Sequence, residues 1–306
     1  MNIPGFLTGK LVVFLYLLSF SPGLFAEVPM EVQPEGAPRE EARRSFSGEE
    51  VVRAFYRAYP DRIERIALLA GDWAMLVDGS WFFWAEGRLL PEELRMQHRD
   101  YSPYPFYRYP RTLPALGEPD PQEAARLRAR VSSREENPPR RHPGFFNALW
   151  RIYDRDTSWA RMKTTFFLGH RIELHRELLE DLAAVEETIQ EVMKTDADLR
   201  RFVAGLSGFD AYNWRIIAGT ASMSFHAYGA AVDLLPGDYR GLQAYWRWAA
   251  RYYPDWFTLP YEQRFMPPDS FVRAFEEQGF IWGGKWFYFD TIHFEYRPEL
   301  LILNGW

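Results

Sequence analysis

Two stretches near the C-terminal end of the chain carry residues whose types and spacing could support hydrolysis at a metal ion. The first contains His226 and Asp233, and the second contains Asp290 and His293. Apolar residues surround Asp233, and because a buried carboxylate without a partner is costly, a metal ion would be one suitable partner. Two imidazoles and one carboxylate would give zinc three protein ligands and leave a fourth position for water, as in catalytic zinc sites.

The backbone has to bend for these side chains to meet. His226 precedes Asp233 by seven residues, and side chains an odd number of residues apart on one straight strand point to opposite faces. Gly229 offers a bend that would bring His226 back, because glycine adopts backbone angles that other residues avoid. Asp290 precedes His293 by three residues, so a tight turn over 290–292 is needed to place the acid beside a metal-activated water as its base.

Four neighbouring residues are candidates to support this chemistry. Arg215 has a fork of donors that suits either a substrate carboxylate or an oxyanion. Ser224 could hydrogen-bond the substrate backbone, and Trp286 is a further candidate for substrate contact. Glu295 could accept a hydrogen bond from one of the two histidines and thereby orient a metal ligand.

Each of these residues also has an ordinary structural interpretation. His293 could be a core histidine whose ring is satisfied by its neighbours. Asp233 could be a buried cap or an ion-pair partner, and Arg215 could simply pair with it. The metal site is favoured because the polar residues fall at mutually consistent spacings between residues 213 and 296.

The two stretches resemble the zinc D-alanyl-D-alanine carboxypeptidase and dipeptidase family, which includes vancomycin-resistance peptidases and phage L-alanyl-D-glutamate endolysins. The first family motif, Ser-x-His-x-x-Gly-x-Ala-x-Asp, is matched at every fixed place by Ser224, His226, Gly229, Ala231 and Asp233. The second motif, an acid followed three residues later by His and often by an aromatic residue and Glu, is matched by residues 290–295. The resemblance covers about residues 165–306 and does not extend to residues 27–150.

The resemblance implies zinc bound by His226, Asp233 and His293, base catalysis by Asp290, and an electrostatic role for Arg215. It also implies an α+β fold, a compact domain with a central antiparallel sheet flanked by helices. The base is aspartate, as in the endolysin-like members, whereas the vancomycin-resistance enzymes have glutamate. The identity of the peptide bond that is cut therefore stays open.

We accordingly expect a zinc metallopeptidase that hydrolyses peptidoglycan stem peptides as a D-alanyl-D-alanine carboxypeptidase. One alternative is an L-alanyl-D-glutamate type endopeptidase. A second is a non-catalytic module that binds wall peptides through zinc, and a third is a metal-free structural role. Asp290 favours the enzyme, since a binding module needs no base.

Local patterns predict the elements around these motifs. Ser47 followed by Glu50 is a capping box, and Asp78-Gly79 between apolar runs predicts a hairpin. Helical spacing predicts helices over 178–193, over 240–253, and from 268 or 269 to Gly279. Residues 280–296 are predicted as strand, turn and strand. The Pro-rich stretch 101–121 and the Arg-, Glu- and Pro-rich stretch 133–143 are predicted as loops around a short helix near Pro121–Val131.

Composition limits the setting of the chain. Residues 1–26 have the positive start and apolar run of a signal peptide, with an uncleaved N-terminal anchor as the alternative. We therefore expect export to the periplasm or the exterior, with no stable membrane span once the signal is removed. The chain contains no cysteine, so a lipoprotein anchor and thiolate zinc ligands are excluded. Its net charge of −6 makes nucleic acid an unsuitable partner.

The expected organisation has three parts: the signal peptide, an N-terminal region over 27–150 without an assigned role, and a zinc peptidase domain over 151–306. The expected partners are peptidoglycan peptides, and the sequence makes no prediction of oligomeric state.

Overall fold

The structure, a computed structural model, describes residues 46–306. The predicted signal peptide, residues 1–26, lies outside the described residues. Within residues 46–306, no helix is both long and apolar enough to cross a membrane. The described residues all belong to one folded unit, and the division of the chain at residue 150 stays a prediction.

The described chain begins with a helix and an antiparallel sheet of four strands. Helix α1 starts at the predicted capping box, where the Ser47 backbone N–H donates to the Glu50 carboxylate at 2.9 Å. The predicted hairpin turn forms at Asp78 and Gly79, which both have positive φ, 49° and 74°. These elements, with the strands in spatial order β1-β2-β3-β4, are α1 (Gly48–Ala58), β1 (Ile63–Leu69), β2 (Asp72–Val77), β3 (Ser80–Phe83) and β4 (Leu90–Pro91).

The central part of the chain is mainly helical and contains one antiparallel hairpin. Its elements are α2 (Pro121–Glu136), α3 (Gly144–Trp150), α4 (Arg155–Arg161), β5 (Met162–Phe167), β6 (His170–His175), α5 (Leu179–Met193) and α6 (Ala197–Ala204). Strands β5 and β6 pair with each other over their whole length. Helix α5 confirms the amphipathic helix predicted over 178–193, and it buries Leu182, Val185 and Ile189.

A second antiparallel sheet of four strands positions both predicted motifs. The last elements of the chain are β7 (Leu206–Asp210), β8 (Ala231–Pro236), α7 (Trp246–Ala249), α8 (Asp269–Glu277), β9 (Phe280–Trp282), β10 (His293–Tyr296) and α9 (Pro298–Leu303). The strands lie in spatial order β7-β8-β10-β9, so the two motif strands, β8 and β10, are neighbours at the centre. The α+β class with antiparallel sheets is thus confirmed.

One face of this sheet is covered, and that leaves the other for the candidate site. Neighbouring residues on a strand point to opposite faces, so Phe294 points away from the face that carries His293. Its ring stacks on Phe275 of α8 with centroids 4.2 Å apart, and both rings are fully buried. Aromatic packing of this kind fixes β10 against the helical layer.

Two sequence predictions about helices are wrong in extent. Helix α2 continues to Glu136, beyond the predicted Val131, so the start of the Arg-, Glu- and Pro-rich stretch is helical. Of the helix predicted over 240–253, only Trp246–Ala249 is α-helical. The backbones of Gln243 and Tyr245 form isolated bridges with Arg264 and Asp290, and these bridges take the residues before α7 out of the helix.

The Pro-rich loop attaches to the site sheet through buried polar contacts, which explains how an irregular stretch becomes ordered. The Tyr109 hydroxyl donates to Glu276 of α8 and accepts from the backbone N–H of Trp282 in β9 at 2.8 Å. Lys285 lies 2.6 Å from the same Glu276 carboxylate, and both side chains are 4% exposed. A buried charge pair of this kind is tolerated because additional hydrogen bonds satisfy it.

Candidate metal centre

A row of polar side chains crosses the site sheet from strand to strand. Asp210 of β7 lies opposite Asp233 of β8, and Asp233 lies opposite His293 of β10. Residues directly opposite one another in an antiparallel sheet project from the same face. The sheet register therefore brings together two residues of the separate motifs, His293 and Asp233, without any loop having to close over them.

His226 reaches this face from a short 3-10 helix, Phe225–Tyr228, that precedes β8. The Ser224 hydroxyl caps the helix by accepting from the His226 backbone N–H at 3.3 Å. Gly229 ends it with φ of 59°, and a Cβ at this position would lie 2.4 Å from the Met162 sulfur. The predicted bend is therefore present, and it needs glycine both for the positive φ and for the close approach of Met162.

Three donor atoms converge on this face. His226 Nε2 lies 3.1 Å from Asp233 Oδ2, and His293 Nδ1 lies 2.8 Å from Asp233 Oδ1. The two ring nitrogens are 3.3 Å apart. One ligand atom from each residue thus lies within 4.8 Å of the other two, the spacing of a group that could hold a metal ion.

The outer nitrogen of each imidazole meets an oxygen that can only accept a hydrogen bond. His226 Nδ1 lies 2.6 Å from the Ala211 carbonyl oxygen, and His293 Nε2 lies 3.2 Å from Glu295 Oε2. Each outer nitrogen can therefore donate a hydrogen bond to its oxygen, so the inner nitrogen of each ring faces Asp233 and would bind a metal ion once it carries no proton. Two imidazoles and one carboxylate arranged in this way fit zinc.

The charges in the site support the same assignment. Burial would raise the pKa of Asp233, but the hydrogen bonds from His226 and His293 outweigh it and hold the pKa well below its usual range. Burial would lower the pKa of His293, but the hydrogen bonds and charges of Asp233 and Glu295 outweigh it and raise the pKa to about 10. A cation is thus strongly stabilised between these carboxylates, as a proton or as a metal ion.

Asp290 lies at the turn that leads into β10. The His293 backbone N–H donates to the Asp290 carbonyl at 3.2 Å, and the Asp290 N–H donates to the Gly283 carbonyl at 3.0 Å. This is the tight turn that the sequence predicts. The Asp290 Oδ1 atom is shut off from solvent and has no hydrogen-bond partner among the described residues. Burial raises the pKa of Asp290 to about 7, which suits a proton acceptor working near neutral pH.

Glu295 connects the site to a chain of buried charges. Its second carboxylate oxygen lies 3.3 Å from Arg297 Nη1, and Arg297 also pairs with Glu299. The hydroxyl of Tyr59, the residue that follows α1, donates to Glu299 at 3.2 Å. Glu295 is therefore held on both sides, so the His293 ring has little freedom to rotate.

We expect Glu295→Gln to weaken zinc binding about 10- to 100-fold, since the carboxylates behind metal-bound histidines contribute on this scale. The amide keeps an acceptor oxygen but loses the charge that makes His293 more basic. Competition with a chelator measures the affinity. Glu277→Gln, the same change on the exposed end of α8, is the control, and equal affinities in the two variants would contradict the role of Glu295.

The remaining predicted residues occupy the edge of the site. Arg215 Nη2 is 4.0 Å from Asp233 Oδ2, at the limit of an ion pair, and its side chain is 39% exposed. The Trp286 ring lies over the site, with its centroid 5.6 Å from that of His293. Ser224 is buried, and its hydroxyl caps the helix that carries His226. Its predicted contact with substrate stays a prediction.

Sequence reasoning missed three residues beside the site. Asp210 faces Asp233, and burial raises the pKa of the Asp210 carboxyl while the charges of His226 and Asp233 act on it in opposite directions. Burial, followed by the charge of Asp290, raises the pKa of both Tyr239 and Tyr245. The only sequence signal for Asp210 is its position at the end of a short apolar run, and register with Asp233 cannot be derived from that.

Comparison with known families bears on two segments of the chain. Residues 218–296 match a family model described as D-alanyl-D-alanine carboxypeptidase, and residues 51–106 match one described as Domain of unknown function (DUF8518). Comparisons with curated proteins and with solved structures found no match. The first match contains the three candidate metal ligands and Asp290, whereas Arg215 lies just before its start. Residues 218–296 are therefore similar to the D-alanyl-D-alanine carboxypeptidase family of peptidases, the family that the two motifs resemble.

Proposed function

We propose that this protein is an exported zinc peptidase that hydrolyses peptidoglycan stem peptides, acting as a D-alanyl-D-alanine carboxypeptidase. The observation that carries the proposal is the convergence of His226, Asp233 and His293, with the buried Asp290 carboxylate, whose Oδ1 has no hydrogen-bond partner, at the adjoining turn. Export rests on the signal-peptide pattern of residues 1–26. Both the substrate class and the metal follow the family that residues 218–296 match.

The residues of the chain divide the chemistry among them. A zinc ion held by His226, Asp233 and His293 would supply an acidified water and polarise the scissile carbonyl. Asp290 takes the proton of the attacking water and returns it to the departing amine, for which a pKa near the working pH is best. Arg215 provides fixed positive charge where the carbonyl oxygen becomes negative, and this stabilises the transition state.

A second activity has an observation in its favour. The base is an aspartate, as in the endolysin-like branch of the resemblance, so cleavage of an L-alanyl-D-glutamate bond is the alternative. A third possibility, a wall-peptide binding module, needs the three ligands but has no use for Asp290.

Digestion of purified muropeptides by the zinc-loaded protein, followed by mass spectrometry, tests these three functions. Loss of one terminal alanine identifies the carboxypeptidase, and cleavage within the stem identifies the endopeptidase. The Asp290→Asn variant and a chelator-treated sample serve as controls. Intact muropeptides together with full zinc occupancy would rule out hydrolysis and leave the binding module.

A further inference from the structure

A cavity of about 470 Å³ lies at the loop that precedes the first motif in the chain. One wall is the loop 217–222, which is closed at its base by pairing of Ile216 with Met223. The next residues outward are Arg215 and Ser224, and the Ser224 N–H donates to the Arg215 carbonyl at 3.1 Å. The residues that line the cavity are Glu135, Pro138, Gly219, Thr220, Ala221 and Arg247.

Arg247 reaches this cavity across the tip of the loop. A Cβ on Gly219 would lie 2.0 Å from Arg247 Nη2, and the φ of Gly219 is 70°, so glycine is what leaves room for the guanidinium. The group also lies 4.7 Å above the Trp246 ring. Its Nε is shut off from solvent without a hydrogen-bond partner, and no acid of the described residues forms an ion pair with Arg247.

A second arginine stands close to the first. Arg134, on α2, lies over the Tyr288 ring at 4.7 Å, and its Nε is likewise buried without a partner. Burial and the like charge of Arg247 both lower the pKa of Arg134. Within residues 46–306 no acid forms an ion pair with either guanidinium, and this includes Glu135, which lines the cavity.

Two adjacent guanidinium groups without a counter-ion are unfavourable unless something negative joins them. Guanidinium groups bind carboxylates through paired, charge-assisted hydrogen bonds. Both arginines are half-buried, so a carboxylate bound to them would be partly shielded from water. This shielding strengthens the attraction between the opposite charges. A carboxylate is thus the ligand chemistry that the cavity favours.

The cavity is also within reach of a substrate at the metal site. Ala221 precedes Ser224 by three residues, so their Cα atoms are at most about 11 Å apart. Tyr245, whose hydroxyl shares a hydrogen bond with Arg247, has its backbone bridged to Asp290. A peptide advances roughly 3.3 Å per residue, so a group within about three residues of the scissile bond can enter the cavity.

We propose that Arg247 and Arg134 form a subsite for a carboxylate of the peptide substrate other than the scissile group. The proposal rests on the proposed function and adds a determinant of substrate choice to it. In a stem pentapeptide the carboxylate is the C-terminal one or the free one on D-glutamate or diaminopimelate. These share one chemistry, and selective amidation tells them apart.

The test measures binding of four pentapeptides to the zinc-loaded Asp290→Asn protein by calorimetry. The peptides are the free acid and three forms amidated singly at the C terminus, at D-glutamate or at diaminopimelate. One amide should bind roughly 10- to 100-fold more weakly than the free acid, the scale of a hydrogen bond to a charged group. Adding Arg247→Met should abolish the difference in affinity between the free acid and that amide. The position of the amide that binds weakly identifies which carboxylate enters the subsite.

Matched variants separate this effect from a general loss of charge or of folding. Arg251→Met removes the same charge just beyond α7, from a side chain that does not line the cavity, and it should keep the discrimination. Gly219→Ala keeps Arg247 but pushes a Cβ against its guanidinium, so it should reduce the discrimination with zinc content unchanged. Equal binding of all four peptides, or equal effects of Arg247→Met and Arg251→Met, would overturn the subsite.

Turnover by the wild-type protein distinguishes this inference from the proposed function. We expect Arg247→Met to raise KM for the free acid and to leave kcat within about threefold, because the contact is made equally before and during the reaction. Carboxylate-dependent binding without cleavage would reject the peptidase and keep the subsite. Cleavage with KM independent of Arg247 would keep the peptidase and reject the subsite.

Discussion

The Asp290→Asn variant is expected to bind zinc normally and to lose roughly 10²- to 10⁴-fold in kcat, the usual contribution of a general base. Asparagine has nearly the same shape as aspartate but cannot accept a proton. The Asp290 side chain is not among the three converging donor atoms, so the metal site should stay intact. Zinc content by elemental analysis and turnover of a D-alanyl-D-alanine peptide are the two measurements.

A second variant and the pH dependence of the wild-type rate test whether Asp290 acts by accepting a proton. Asp290→Glu should retain more activity than Asp290→Asn, because it keeps an acceptor at the cost of a shifted position. The wild-type rate should fall as the pH drops through the pKa of Asp290, which burial raises to about 7 in the metal-free protein, since the protonated acid cannot accept another proton. Undiminished turnover in Asp290→Asn would remove this residue from the mechanism.

Stability offers a second, independent readout of the same variant. The folded-state pKa of Asp290 is raised above its ordinary value of 3.8, so folding favours the neutral acid. The resulting penalty is absent below about pH 4 and grows until the pH passes about 7. In the metal-free protein, Asp290→Asn should therefore raise the thermal midpoint at pH 8 and have little effect at pH 4.

The centre of the site could be predicted because its determinants are local. Gly229 marks the bend after His226, and the three-residue spacing from Asp290 to His293 requires a turn, whatever the rest of the fold does. The alternation around Asp233 predicts a strand with the acid on one face. That β8 and β10 lie side by side was only a possibility from the sequence, and their pairing in register is what the structure adds.

The supporting residues depended on contacts between distant parts of the chain. Asp210 enters the site only because β7 joins the sheet beside β8 in a particular register. Glu295 contacts His293 rather than His226, which the sequence left open, because residues two apart on β10 share a face. Apolar residues at helical spacing, such as Leu242, Tyr245 and Ala249, suggested a longer helix, but backbone bridges to separate segments overrode local propensity there.

The N-terminal part of the described chain is connected to the metal centre through buried groups. Tyr59 follows α1 and lies within the segment that matches the family of unknown function. Its hydroxyl donates to Glu299, and Glu299 pairs with Arg297, which also contacts Glu295. Deleting this segment would remove the Tyr59 hydrogen bond from the buried Glu299 carboxylate, and a buried group that loses a hydrogen bond is costly. We infer that residues 51–106 support the geometry of the site as well as any function of their own.

Zinc affinity is expected to fall about tenfold for each unit that the pH decreases, because zinc must displace one proton from His293. In the metal-free protein Asp233 and Glu295 raise the pKa of His293 to about 10, so its Nδ1 is protonated throughout the neutral range. Asp233, with its lowered pKa, is already ionised and contributes no proton. From pH 8 to pH 6 this single proton accounts for a loss of roughly 100-fold in affinity.

Chelator competition across this pH range measures the affinity, and calorimetry in buffers of different ionisation enthalpy counts the protons released. Removing zinc should abolish peptide hydrolysis and lower the thermal midpoint, because a ligand that binds only the folded state stabilises it. His170→Ala, a change at a histidine away from the three converging donors, should leave both the affinity and its pH dependence unaltered. Zinc affinity that does not change with pH would show that His293 does not give up a proton on binding, and the assignment of its Nδ1 as a ligand would then fail.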